Sequence, residues 1–160
     1  PPRSTLFPYT TLFRSGYLQE GQTERAKVPL SKALELDPNS ADAHSVLALV
    51  FQIEMEAKLA DEHFRKALSQ RPNDSRLLNN YGSFLFEQGR FEEATARYQQ
   101  AARDTMYPER SRVFENLGIT ALRLNQREQA KTYFERALRL NSSQPRALLE
   151  MAVLHYEDRL

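Results

Sequence analysis

ALELDPNS at residues 33–40 and ALSQRPND at residues 67–74 set Pro38 and Pro72 34 residues apart. Counting each Pro as position 32 of a 34-residue repeat, Ala26, Ala60 and Ala94 share position 20, and Ala33, Ala67 and Ala101 share position 27. Position 24 is large in every copy: Leu30, Phe64 and Tyr98. The third copy adds Tyr81-Gly82 at positions 7 and 8 and Gly89 at a turn. The segment RDTMYPERSRVFENLG, residues 103–118, then inserts two residues, after which Leu117-Gly118, Ala130, Phe134 and Ala137 resume the pattern and Met151-Ala152 open a fifth copy. Apolar residues recur at helical spacing throughout, and no alternating pattern competes.

The period is that of tetratricopeptide helix pairs. Gly or Ala at a crossing lets two helices approach, and a large side chain from the partner fills the gap. The expected fold is all-α: a tetratricopeptide-repeat superhelix of antiparallel helix pairs, a right-handed α-solenoid. The repeats are read as 16–40 (partial), 41–74, 75–108, 111–144 and 145–160 (partial), together one domain over 16–160. Asp74 or Asn73, and Ser142 or Ser143, are expected to cap helix starts, with Pro108 and Pro145 in first turns. Pro29 lies well inside a helix starting near Thr23, where it costs about 3 kcal/mol unless the helix bends.

Residues 1–15 differ from the rest. They hold three of the eight Pro and no acid, and Thr5 to Ser15 read TLFPYTTLFRS with no helical stripe. That string equals the conceptual translation of a widely used short-read sequencing adapter. Residues 1–15 are therefore read as a non-native segment to be left out of fold reasoning, the alternative being an unusual natural N-terminus. The whole chain carries 22 Lys+Arg against 21 Asp+Glu; without Arg3 and Arg14 the balance is 20 to 21. Neither balance suits a dedicated phosphate-binding surface, so no nucleic-acid partner is expected. The absence of Cys from the 160 residues excludes a disulfide framework, a thiol nucleophile and a Cys-type zinc site within them. No stretch approaches the roughly eighteen apolar residues of a membrane span.

No catalytic or metal-binding constellation emerges, and neither an enzyme activity nor a cofactor is expected. His44 falls at position 4 of a first helix, a half-buried packing place, and His63 and His155 read as solvated helix residues. Glu92-Glu93 fit a helix start, where carboxylates complement the macrodipole. Gly82, Gly89 and Gly118 are too dispersed for a phosphate loop. Arg103, Arg110, Arg112 and Lys131 are offset by nearby acids.

The architecture offers a groove instead. First helices line the inner face through positions 5, 9, 12 and 13, here Ser45, Leu49, Gln52 and Ile53, then Asn79, Ser83, Phe86 and Glu87, then Glu115, Ile119, Leu122 and Arg123, then Leu149, Val153 and Tyr156. Leu49, Ile53, Phe86, Ile119 and Leu122, with Asn79 and Ser83 as hydrogen-bonding groups, form the candidate partner-binding groove for an apolar helix or extended segment. The alternative is that some of these pack against adjacent repeats. Ser45, Asn79 and Glu115 stand where a chaperone-tail carboxylate clamp needs Lys.

The runs GYLQEGQTERAKVPLSKALELDPNSADAH (16–44), LNNYGSFLFEQGRFEEA (78–94) and DTMYPERSRVFENLG (104–118) resemble the PilF/PilW family of type IV pilus biogenesis proteins. The distinctive parts are Pro29, MEAKLADEHFRKAL at 55–68, and the insertion with Tyr107-Pro108-Glu109-Arg110. The resemblance covers essentially Gly16 to Leu160. It implies a pilotin at the periplasmic face of the outer membrane that binds pilus secretin subunits, without turnover, and promotes their localisation and ring assembly. It also implies a signal peptide and lipid anchor ahead of this chain. A general repeat scaffold joining other proteins is the alternative. Leu160 stops the fifth repeat after its first helix, so the chain is expected to be an interior fragment with Leu148, Met151, Ala152 and Leu154 short of cover.

Overall fold

The computed structural model describes residues 22–160. The expectations for residues 1–15, and for the part of the first repeat before Gln22, lie outside the described residues. Among these the chain forms eight helices and no strand: α1 (Thr23–Leu36), α2 (Ala41–Ile53), α3 (Ala57–Gln70), α4 (Ser75–Glu87), α5 (Phe91–Ala102), α6 (Arg110–Arg123), α7 (Arg127–Leu140) and α8 (Pro145–Glu157). This is an all-α tetratricopeptide-repeat solenoid. It divides at Pro72/Asn73 into two compact units, α1–α3 and α4–α8.

One turn geometry recurs in both units. Three residues separate α2 from α3, α4 from α5 and α6 from α7, making each pair antiparallel neighbours. The middle residue is left-handed each time: Met55 (φ 61), Gly89 (φ 73) and Asn125 (φ 58). Glu56 N–H reaches back to Phe51 O (2.9 Å), Arg90 N–H to Leu85 O (2.9 Å) and Gln126 N–H to Ala121 O (2.8 Å), closing carbonyls that the helix end leaves open.

In the first unit α1 runs unbroken through Pro29, whose missing N–H deprives the Arg25 carbonyl of its helical partner. Ala26 and Leu30 pack with Val46, Leu47 and Val50 of α2, while Ala60, Phe64 and Ala67 of α3 are wholly buried. Lys27 adds a 2.6 Å ion pair from α1 to Glu54 at the end of α2. Burial pushes the Glu54 carboxyl up, but hydrogen bonds from Lys27 and Thr23 outweigh it and the net direction is down.

In the second unit the small-residue crossings are tight. A Cβ on Gly82 would stand 2.6 Å from the Tyr98 ring, and one on Gly118 would stand 2.5 Å from the Phe134 ring. Both rings are buried, so neither can simply step aside.

Helix starts follow the sequence only in part. Ser40 accepts from Ala43 N–H (3.3 Å) and Asp74 from Leu77 N–H (3.0 Å), as N-caps do. Neither Ser142 nor Ser143 caps α8: Ser143 turns its amide and hydroxyl to Asn141 Oδ1, and Gln144 holds the cap position with its Oε1 accepting from Asn141 Nδ2 instead of from the helix. The donor of α8 equivalent to Ala43 and Leu77 is Ala147 N–H, which bonds Glu115 Oε2 of α6 at 3.0 Å. Pro145 is in the first turn of α8 as expected, whereas Pro108 precedes α6 and lies outside it.

The far end of α8 is tied to the start of α7. Arg127 bonds Glu157 (2.6 Å), Asp158 (2.8 Å) and the Leu154 carbonyl (2.8 Å), and Lys131 bonds Asp158 (2.8 Å). Leu154 is accordingly buried, against expectation, because α7 covers it; Leu148 remains exposed, with Leu149, Val153 and Tyr156.

Candidate functional site

In the second unit α4 and α6 touch, and the expected groove residues there separate into two kinds. Asn79 is buried: its Oδ1 accepts from Asn116 Nδ2 of α6 (3.1 Å), and its side chain bonds the Tyr107 hydroxyl. Ser83 donates to the Asn79 carbonyl (3.1 Å) and accepts from the Tyr98 hydroxyl (3.1 Å). Burial pushes Tyr98 up to about 12, so it remains a neutral donor. These two polar groups therefore hold α4 to its neighbours; their bonding capacity is largely committed within the protein.

Phe86, Ile119 and Leu122 differ in being only half-buried. Phe86 meets Phe91 of α5 edge-on, with centroids 5.2 Å apart and planes at 63°. The Arg123 guanidinium lies over both rings, 4.7 Å from the Phe91 centroid and 5.5 Å from that of Phe86, within cation–π range. Ile119 precedes Arg123 by one turn and shares its face of α6. Phe91 was not among the sequence candidates, because it opens a second helix; its position straight after the Gly89 turn was the available signal. Glu115, expected on the inner face, is buried and occupied with capping α8.

In the first unit Leu49 is half-buried and Ile53 is 36% exposed, one turn apart on α2. The same unit contains a histidine pair. His44 is buried, with Nε2 2.9 Å from the Pro38 carbonyl and Nδ1 2.9 Å from His63 Nδ1. His63 is not a solvated residue as expected: it is half-buried, stacked on Phe51 at 5.3 Å and 20°. A carbonyl only accepts, so neutral His44 carries its proton on Nε2 and His63 donates Nδ1–H to it. Burial first, then the neighbouring His44 and Lys66, lower His63 to about 4. His155 is exposed.

Among the described residues, no three His, Cys, Asp or Glu side chains gather into a metal-binding group, and no helix is long and apolar enough to cross a membrane. Lys131 and Arg112 are paired with acids, and Arg110 donates to the Ala102 carbonyl. What the geometry can do is bind: an aromatic and aliphatic surface edged by a guanidinium suits a protein segment.

The tetratricopeptide repeat family model matches residues 73–143, the core of the second unit. Over 144 residues, 90% of the chain, it is 62% identical to the type IV pilus assembly protein PilF of Pseudomonas aeruginosa, of whose length it spans 57%. The solved structure of Pseudomonas aeruginosa PilF superposes with a TM-score of 0.87 at 60% identity, covering 96% of this chain and 69% of that one. PilW, described as a widely conserved type IV pilus biogenesis factor, superposes at 0.81 with 29% identity, covering 96% of this chain and 70% of its own. With identity this high sustained through the same succession of helix pairs, the chain belongs to the PilF/PilW family of tetratricopeptide-repeat proteins.

Proposed function

We propose that this chain is the binding body of a pilotin for type IV pilus biogenesis. It binds secretin subunits stoichiometrically, without turnover, and thereby promotes their outer-membrane localisation and assembly into a ring. The observation that carries the reading is the 62% identity to a type IV pilus assembly protein. The half-buried Phe86, Ile119 and Leu122, on helices α4 and α6, add a surface of the right chemistry, and Leu49 and Ile53 of the first unit are further candidates for contact. The proposed location is the periplasmic face of the outer membrane, reached through a lipid anchor encoded ahead of this chain. A signal peptide with a lipobox Cys in the upstream gene sequence supports that location, and a complete gene lacking one counts against it.

Phe86→Glu tests the surface. A carboxylate there replaces the ring beside Phe91 and engages the Arg123 guanidinium that lies over it, so co-purification of the secretin is expected to fall about tenfold or more. Far-UV circular dichroism should stay unchanged, because Phe86 is half-exposed. Undiminished co-purification overturns a site centred on Phe86.

A further inference from the structure

The exposed side of the α4–α6 contact carries a cation, Arg123, held over two rings. Arg112, Arg127 and Lys131 on α6 and α7 each pair with a carboxylate, whereas Arg110 donates to the Ala102 carbonyl and Arg136 lies over the Phe114 ring at 4.4 Å. Arg123 forms no ion pair or hydrogen bond among the described residues, and its recorded neighbours are the Phe86 and Phe91 rings. The acid of α6 on the same inner line, Glu115, is buried and bonded to the Ala147 amide, so it does not neutralise Arg123. Two rings from two helices, locked edge-on, make a fixed floor that limits how the guanidinium can move. Fixing a guanidinium in this way lowers the entropy lost when it binds, while its N–H donors remain available to an acceptor in its plane. Arg123 is exposed, so such a bond gains strength over its value in water only once the bound segment covers it.

We infer that Arg123 receives an acidic side chain of the bound segment, and that an apolar side chain beside that acid enters the surface of Phe86, Ile119 and Leu122. This rests on the pilotin reading and specifies the chemistry of its partner: a stretch of the secretin with an Asp or Glu flanked by large apolar residues. Charge complementarity with Arg123 supplies register, and the aromatic floor supplies most of the contact area.

The test is a charge swap, read by co-purification of the full chain with a type IV pilus secretin subunit. Arg123→Gln is expected to lower recovery about tenfold and Arg123→Lys less, since Lys keeps the charge but loses the fork. Arg123→Glu should abolish recovery. Each Asp and Glu of the secretin is then replaced in turn by Lys. At one position the replacement should weaken binding to the wild-type chain and restore binding to Arg123→Glu. Restoration at no acidic position, or wild-type recovery by Arg123→Gln, overturns the inference. If Phe86→Glu still blocks binding in that case, the pilotin reading stands and only the role of Arg123 falls. If Phe86→Glu binds normally as well, the surface itself is wrong and both fall.

Discussion

The crossing of α2 with α3 in the first unit and the crossing of α6 with α7 in the second use the same repeat positions with different atoms. Ala48 stands where Gly82 and Gly118 stand, and Phe64 where Tyr98 and Phe134 stand, all of them buried. One unit thus accommodates a methyl group where the other leaves no room for it. A sequence pattern treats Gly and Ala as one class of small residue; the packing does not. Gly118→Ala tests this most severely. Helix propensity alone predicts a gain of about 1 kcal/mol. The added Cβ, however, meets three Phe134 ring atoms at 2.5 to 2.8 Å. Overpacking should win, with a net loss of about 1 to 3 kcal/mol in urea unfolding. Gly82→Ala is expected to lose a similar amount, because it also pushes Tyr98 from its bond to Ser83. An unchanged or raised midpoint for both would mean that the two kinds of crossing are interchangeable.

The units differ again where position 4 of a first helix faces position 23 of its partner. In the first unit this pair is His44 and His63; in the second it is Leu78 with Arg97, and Phe114 with Tyr133, whose rings lie 6.4 Å apart. Only the first unit therefore places an imidazole pair in its packing. His63 faces His44 on α2, Phe51 with Lys27 over its ring, and Lys66 and Glu62 on its own helix. Burial first, then the neighbouring His44 and Lys66, lower it from 6.5 to about 4, so the unfolded chain binds more protons between those values. Stability from this source is complete above about pH 6.5 and is lost as pH falls through about 4. For a half-exposed ring the discounted effect is about 1 to 2 kcal/mol. Amide protection factors in α2 and α3 are expected to fall between pH 7 and pH 5 relative to those in α6 and α7, and His63→Gln should flatten that difference. An equal fall in both units would break the comparison.

How much the sequence discloses depends on how far apart the deciding residues are. Gly118 and Phe134 lie sixteen residues apart within one helix pair, and their periodic recurrence made the crossing readable. Glu115 acts on Ala147, 32 residues away in the next repeat, and nothing local distinguishes it from a surface acid. The serine at 143 looked like a cap because caps are local, yet Asn141 claims both its amide and its hydroxyl. The groove was legible as a list of positions, whereas the division of labour within it was not. Asn79 and Ser83 are drawn inward by Asn116, Tyr107 and Tyr98, partners that the inner-face rule ignores. Arg123 was visible only as a position until the Phe86 and Phe91 rings beneath it gave it an environment.

The smallest contrast between the units is confined to one backbone angle. Met55, Gly89 and Asn125 occupy the same left-handed place in three equivalent turns, one in the first unit and two in the second. An L-residue with a side chain loses about 1 to 2 kcal/mol there, while Gly loses nothing sterically but gives up more chain entropy on folding. Met55 is 88% exposed, so removing its side chain sacrifices little packing. Met55→Gly is therefore expected to stabilise the chain by about 0.5 kcal/mol. Asn tolerates this conformation, which leaves Asn125→Gly within a few tenths of a kcal/mol of neutral. Gly89→Ala provides the reverse measurement: a Cβ there meets no atom within 4 Å, so any loss, about 1 kcal/mol, comes from the backbone alone. Urea midpoints of the three variants should rank Met55→Gly above Asn125→Gly above Gly89→Ala. If Met55→Gly instead destabilises, the Met55 side chain contributes to its turn in a way that its exposure does not account for, and the three turns are not equivalent after all.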